Sequence, residues 1–397
     1  MRLEMSNDLT RFEVMCHELG LPPGNKRSRY TSINPIGMGT AQLECLTSYI
    51  SRLSEFHNLN CFDLISDLIK NNTFFRGKRA IFNNSTAPYI NSMGLLSYEI
   101  ATNLQKLTGR TDIIHLTILS WESFVNPGVL RKYKAWCPQC FFEQQATGQP
   151  LYEPLLWQFT AVEICHIHKI FLMQKCRNCG KRTYHLYKGI KIGFCPNCLQ
   201  TLSIGPLLTQ SDEMPESKDF IKRQFIIVRN LAQLILNQEN LHKLDTSKAI
   251  SQIVDGVIQE FFDNNAAEFG RAAGRLPHAF WGWRRGETKP ELENLIWLAT
   301  FLNTTIYSLL IGDINNISIN SGASELFKKK KKRAFISEKA ERVLKSSFEE
   351  TPPPSISQIM LRTKCSRSYL ARRFPDLYKD VISRYYAYHN IKKKGFQ

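Results

Sequence analysis

Seven of the eleven cysteines lie between Cys137 and Cys198, six of them in three CxxC pairs and the seventh, Cys165, beside two histidines. Cys137-Pro138-Gln139-Cys140 is a CxxC, and Cys165-His166-Ile167-His168 offers a CxxH after 24 intervening residues. Cys176-Arg177-Asn178-Cys179 and Cys195-Pro196-Asn197-Cys198 form a second set, with 15 residues between the pairs. Two side chains three apart on a tight turn can face one ion, and two such turns supply the four ligands of a closed tetrahedral zinc site. The expected ligands are Cys137, Cys140, Cys165 and His168 for one ion and Cys176, Cys179, Cys195 and Cys198 for the other. His166 is the alternative to His168, which the CxxH spacing favours. The cofactors expected are therefore two structural Zn²⁺ ions.

Catalytic chemistry has a poor case. Four good ligands leave no open coordination position, and the HxE partner of a zinc deaminase is missing. There is no GxxxxGK[ST], no HExxH and no GxSxG. Gly37-Met38-Gly39-Thr40-Ala41-Gln42 begins like a dinucleotide fingerprint but lacks the third glycine, and reads as a turn. No enzymatic activity is expected. The lone Cys16, Cys45, Cys61 and Cys365 read as small buried hydrophobes.

The charge points to a polyanion. Basic residues outnumber acidic ones 52 to 35, giving +17. Seven thiolates and two Zn²⁺ ions would lower this to about +14. Phe327 to Gln397 carries 19 Lys and Arg against six Asp and Glu, so +13 of the excess sits there and the remainder is close to neutral. The expected partner is nucleic acid held at the C-terminal end. Residues Met1 to Asp8 contain no apolar core and no apolar run reaches 18 residues, so the expected setting is a reducing cytoplasm.

These groups need elements to place them. The length of 397 residues allows two to four domains. Leu43, Leu46, Ile50 and Leu53 predict a helix from Ala41; others are expected at Asn60–Lys70 and at Met93–Leu107, stopped by Gly109. Thr111–Leu119 suits a helix or a strand. Trp136–Leu202 lacks a helical period, whereas Phe220–Leu236 and Lys248–Phe262 regain it. The fold class expected is mainly α. Residues 1–30 form a flexible N-terminal segment, 31–135 a helical part and 136–205 a double zinc-binding module. A helical connector at 206–262 leads to a helix-turn-helix at 263–313, a basic linker at 314–335 and a second helix-turn-helix with a basic tail at 336–397.

The first helix-turn-helix rests on Gly274 to Gly286 followed by Lys289-Pro290-Glu291-Leu292, a stretch that resembles Cro/repressor-type proteins. That resemblance puts Arg275, His278 and Trp281 toward the major groove, and Arg284, Arg285 and Lys289 on phosphates. Leu276 at the cap and Gly282 within the helix depart from the pattern. In the second, Ser366 caps a helix with Tyr369, Leu370 and Phe374 inward. Arg367, Ser368, Arg372 and Arg373 stay outside as candidate DNA contacts.

Taken together the chain resembles the TniQ/TnsD family of transposition target-selection proteins. Ile33-Asn34-Pro35-Ile36-Gly37 and Glu44-Cys45-Leu46-Thr47-Ser48-Tyr49-Ile50-Ser51-Arg52-Leu53 are similar to the family's N-terminal ESLxSxxxRL stretch, with Cys45 in place of serine. The double zinc module, with Trp136-Cys137-Pro138 and Cys165 to Leu172, extends the resemblance to about residue 205. It implies a non-catalytic adaptor that marks double-stranded DNA and recruits a TnsC-like AAA+ ATPase, and through it a transposase. TnsD-like members bind an attachment site directly, and shorter TniQ members dock on a CRISPR effector complex. A zinc-containing transcription regulator is the remaining reading.

Overall fold

The computed structural model describes residues 28–69, 86–189, 191–203, 217–244, 246, 248–273, 278–313, 317–327, 340–363 and 365–394. The segment expected at 1–30 lies almost wholly outside these residues, as do positions 328–335 of the expected linker. The chain divides into two compact units, Met1–Leu326 and Phe327–Gln397.

The first unit opens with α1 (Leu46–Phe56) and α2 (Cys61–Ile69). α1 begins five residues after the expected start, because residues 37–43 close a turn in which Thr40 N–H bonds the Gly37 carbonyl at 3.0 Å. Tyr49, Ile50 and Leu53 bury one side of α1, as their spacing requires. A polar line also runs down this helix. Glu44 is buried, accepts the Ser48 hydroxyl at 2.7 Å and the Arg52 guanidinium at 2.6 Å, and takes the Ile36 N–H at 3.1 Å. Burial raises the Glu44 carboxyl above its ordinary value, while Arg52 and then Ser48 oppose that shift. Glu44 lies just before α1 and Ser48 and Arg52 share one of its faces, so the ExxxSxxxR pattern is a single hydrogen-bonded brace. Ser48 extends it by accepting the Glu153 N–H at 3.0 Å.

α3 (Leu95–Thr108) ends at Gly109 in the left-handed conformation. The ambiguous stretch after it forms two one-turn 3₁₀ helices, Ile113–Leu116 and Leu119–Trp121. A helix not expected from the sequence follows, α4 (Pro138–Ala146), with Pro138 in its first turn. Only Pro138, Cys140 and Phe141 of it are buried, so no apolar period announces it. The β structure among the described residues consists of isolated bridges, and these set the register of the cysteine pairs. Trp136 and Met173 exchange two backbone hydrogen bonds of 3.0 and 2.8 Å, which lays the first CxxC beside the Cys165 turn.

α5 (Lys218–Leu236) is the longest helix of this unit, capped by the Ser217 hydroxyl. It packs on the one-turn helix Leu155–Gln158 and also on α10 and α11, defined below. Its buried Gln224 accepts the Glu163 N–H at 2.9 Å and donates to the Ala161 carbonyl at 3.1 Å. Asn230 accepts the Ile306 N–H at 2.9 Å. Within the stretch expected as a connector, α5 therefore hydrogen-bonds to residues on both sides of it in sequence. α6 (Gln238–Lys243), α7 (Ala249–Phe261), α8 (Ala266–Ala272) and α9 (His278–Arg284) follow. α10 (Leu292–Phe301), α11 (Ile306–Leu310) and α12 (Ala323–Leu326) complete the unit. Phe269, Phe280, Trp297 and Phe301 join in one aromatic cluster, with Trp297 stacked on Phe301 at 5.3 Å.

The second unit contains a helix over 340–346 (α13), α14 (Ile356–Thr363), α15 (Arg367–Arg373) and α16 (Pro375–Lys394). Ala340, Leu344, Ile359, Cys365, Leu370 and Val381 form its core, so each helix and the turn before α15 contribute. The chain is thus mainly helical.

Gly37 holds φ +72°, and a Cβ there would lie 2.3 Å from the Gln42 carbonyl oxygen. Gly37→Ala is expected to destabilise the protein by about 1–3 kcal/mol through backbone strain. Denaturant unfolding with an unchanged midpoint would contradict this reading of the turn.

Candidate metal centres and DNA-facing residues

The two cysteine sets close in space. The ligand atoms of Cys137, Cys140, Cys165 and His168 lie within 4.8 Å of one another, as do those of Cys176, Cys179, Cys195 and Cys198. In the first cluster His168 Nδ1 is 3.4 Å from Cys137 Sγ, 3.3 Å from Cys140 Sγ and 3.7 Å from Cys165 Sγ. Cys140 and Cys165 are 3.7 Å apart, and in the second cluster Cys176–Cys198 and Cys179–Cys195 are 3.6 and 3.7 Å apart. Zn–S bonds of about 2.3 Å and Zn–N bonds of about 2.0–2.1 Å at tetrahedral angles give S···S edges of about 3.8 Å and S···N edges of about 3.6 Å. The clusters match those edges, and their donor set is compatible with zinc.

Three of the four pairs use one backbone device. Lys169, Gly180 and Leu199 N–H groups return to the carbonyls of Cys165, Cys176 and Cys195 at 2.7, 2.8 and 2.8 Å. The residue closing each turn has φ of 61°, 70° and 60° in turn. The N–H groups of the same three cysteines bond to Ile170, Lys181 and Gln200 carbonyls, so each turn is stitched on both sides. The fourth pair is different: Cys137 is the N-cap of α4 and Cys140 lies in its first turn. Hydrogen bonds, first from the Asn178 side chain, push the Cys198 thiol down to about 6, toward the thiolate a metal requires.

The alternative between the two histidines is resolved by placement. His168 is in the cluster, whereas His166 Nε2 lies 2.8 Å from Gln42 Nε2, beside the Gly37 turn. His168 Nε2 meets Glu143 Oε1 at 2.8 Å. This carboxylate, three residues after Cys140 on α4, would fix the imidazole with Nδ1 toward the ion. It was not expected, because its spacing has meaning only once α4 is known to be a helix.

The candidate DNA contacts divide sharply. Arg275 lies outside the described residues, and so does the side chain of His278. Trp281 is 48% exposed. The three residues expected on phosphates are engaged by the chain itself. Arg284 forms an ion pair with Asp255 of α7, Arg285 pairs with Glu287 at 2.9 Å, and Lys289 donates to the Glu122 carbonyl. α9 packs against α7. The departure at Gly282 has a packing cause: a Cβ there would meet Thr288 Oγ1 at 2.4 Å.

In the second unit Ser366 caps α15 by accepting the Tyr369 N–H at 3.3 Å. Leu370 is buried, and Tyr369 and Phe374 pack against the core. Arg367, Ser368, Arg372 and Arg373 are all exposed.

These features define a mainly helical protein with two thiolate-rich clusters that could each hold a metal ion. Residues 35–172 match the TniQ family model, so this part of the chain is a TniQ domain. The match takes in the Glu44 brace and the first cluster and stops short of the second. No curated protein matches the chain. No helix among the described residues is long and apolar enough to cross a membrane.

Glu143→Ala removes the acceptor on His168 and is expected to weaken metal binding at the first cluster by about 10–100-fold. Competition with a chromophoric chelator measures this, and an affinity equal to wild type would show that Glu143 does not orient the ligand.

Proposed function

We propose that this protein is a target-selection adaptor of a transposon, which binds a DNA attachment site and recruits an AAA+ ATPase regulator, and through it the transposase. The observation that carries the reading is the combination of a TniQ domain with a separate compact unit that displays Arg367, Ser368 and Arg372 on a capped helix. The unit's +13 charge supplies attraction for any duplex through counterion release. Side chains on a short helix after a tight turn supply base-edge contacts in the major groove.

In this reading both clusters hold structural Zn²⁺, which replaces part of a hydrophobic core and sets loops at fixed angles. The ions supply no reaction. Arg284, Arg285 and Lys289 brace the first unit, and specific DNA contact belongs to α15. The ATPase is received by the helical part at 31–130, which is near neutral and lacks the basic excess of the C-terminal end.

Pull-down of genomic fragments at about 150 mM salt with competitor DNA, followed by sequencing, tests the reading. One asymmetric site is expected to be enriched, and Arg367→Ala with Arg372→Ala is expected to abolish the enrichment. Sequence-blind binding would overturn direct site selection in favour of docking on a CRISPR effector complex. Enrichment of palindromic sites would instead indicate a transcription regulator.

A further inference from the structure

The near-neutral first unit hides a local excess. Between Glu163 and Asp212 the sequence holds seven Lys and Arg and no Asp or Glu. The second metal cluster lies in this stretch. Its neighbour in space is the segment around Tyr133, since Lys134 N–H bonds the Thr183 carbonyl at 2.9 Å. His185, buried, meets the Arg131 carbonyl at 3.0 Å. Burial pushes its imidazole down to about 3, so this tie stays neutral.

On that joint, cations gather over one ring. Lys132 Nζ lies 5.6 Å and the Arg182 guanidinium 5.3 Å from the centre of the Tyr133 ring. Tyr184 packs on Tyr133 at 5.0 Å and Tyr187 on Tyr184 at 6.2 Å. Lys132, Lys181 and Arg182 are exposed, and among the described residues none has a carboxylate within ion-pair distance. Lys191 is excluded from the set because it pairs with Glu55 at 2.7 Å. Like charges held together on a rigid support, without a counter-charge from the chain, form a site for an external polyanion.

We infer that Lys132, Lys181 and Arg182, supported on the Tyr133–Tyr184–Tyr187 cluster, form a second DNA-binding surface that grips the phosphate backbone of a duplex. The tyrosine rings decide for backbone over bases. They are half-buried and packed on one another and under the cations, so they offer no open face on which single-stranded bases could stack. Cations that contact phosphates add affinity and register without sequence preference. The surface does not depend on α15, which the preceding proposal gives the specific contacts.

The test uses the full chain with Lys132→Gln, Lys181→Gln and Arg182→Gln, against random-sequence duplex DNA in a salt series. Metal content and the unfolding midpoint are measured first, and the charge-conserving Lys181→Arg variant serves as a folding control. The slope of log Kobs against log salt is expected to fall by about 2–3, since each phosphate no longer neutralised removes about 0.9. The same fall is expected in the Arg367→Ala, Arg372→Ala background. An unchanged slope on duplex DNA overturns the inference. A loss confined to single-stranded RNA overturns it as well, because the partner would then be a different polymer. If the α15 substitutions leave site enrichment intact while the glutamine variant lowers the slope, the α15 assignment fails and this surface stands.

Discussion

The first unit depends on bringing four ligand atoms within bonding distance of one point. Cys137 and Cys140 come from the start of α4, and Cys165 and His168 from a turn 24 residues further on. Three thiols and an imidazole packed together would otherwise hold their protons in a buried, crowded space. An ion bound there would replace those protons and turn crowding into binding. The Trp136–Met173 hydrogen bonds hold the two ligand pairs in register, and Trp136 itself is buried beneath them. Around this point the domain is braced by the Glu44–Ser48–Arg52 line, which reaches Glu153 through Ser48.

The two units suit different tasks. The first is large, rich in buried aromatic residues, and engages several of its cations internally. Arg284 and Lys289 illustrate this: each reaches a part of the unit distant in sequence, at Asp255 and Glu122. The second is small; among the described residues six apolar side chains form its buried core, Arg362 pairs with Glu350 and Arg384 donates to the Ser347 and Glu350 carbonyls, while Arg367, Arg372 and Arg373 are exposed. A small helical unit whose exposed face is mostly cationic is fitted to bind a polyanion, while the larger unit has the rigidity to present other surfaces to protein partners.

Much of this was legible in the sequence. The eight residues of the two clusters follow from their spacing, with His166 left as the alternative to His168, because a pair three residues apart is a local constraint. α1, α3 and α5 follow from apolar periods, and the Ser366 cap follows from residue type. What escaped was relational. α4 was hidden because its burial is by cysteine and one phenylalanine and lacks an amphipathic stripe. Glu143 was hidden with it. The engagement of Arg284 and Lys289 was hidden because their partners lie 29 and 167 residues away. Gln224 and Asn230, whose hydrogen bonds reach Ala161 and Ile306, look like ordinary polar helix residues in the sequence.

The central claim is that two closed, thiolate-rich centres organise this chain. X-ray absorption at the metal edge of the purified protein, with metal quantified per chain, tests it most directly. The account predicts two zinc ions per chain sharing seven sulfur and one nitrogen ligands, with Zn–S near 2.3 Å. A single ion per chain, or a shell containing water or carboxylate oxygen, would contradict it.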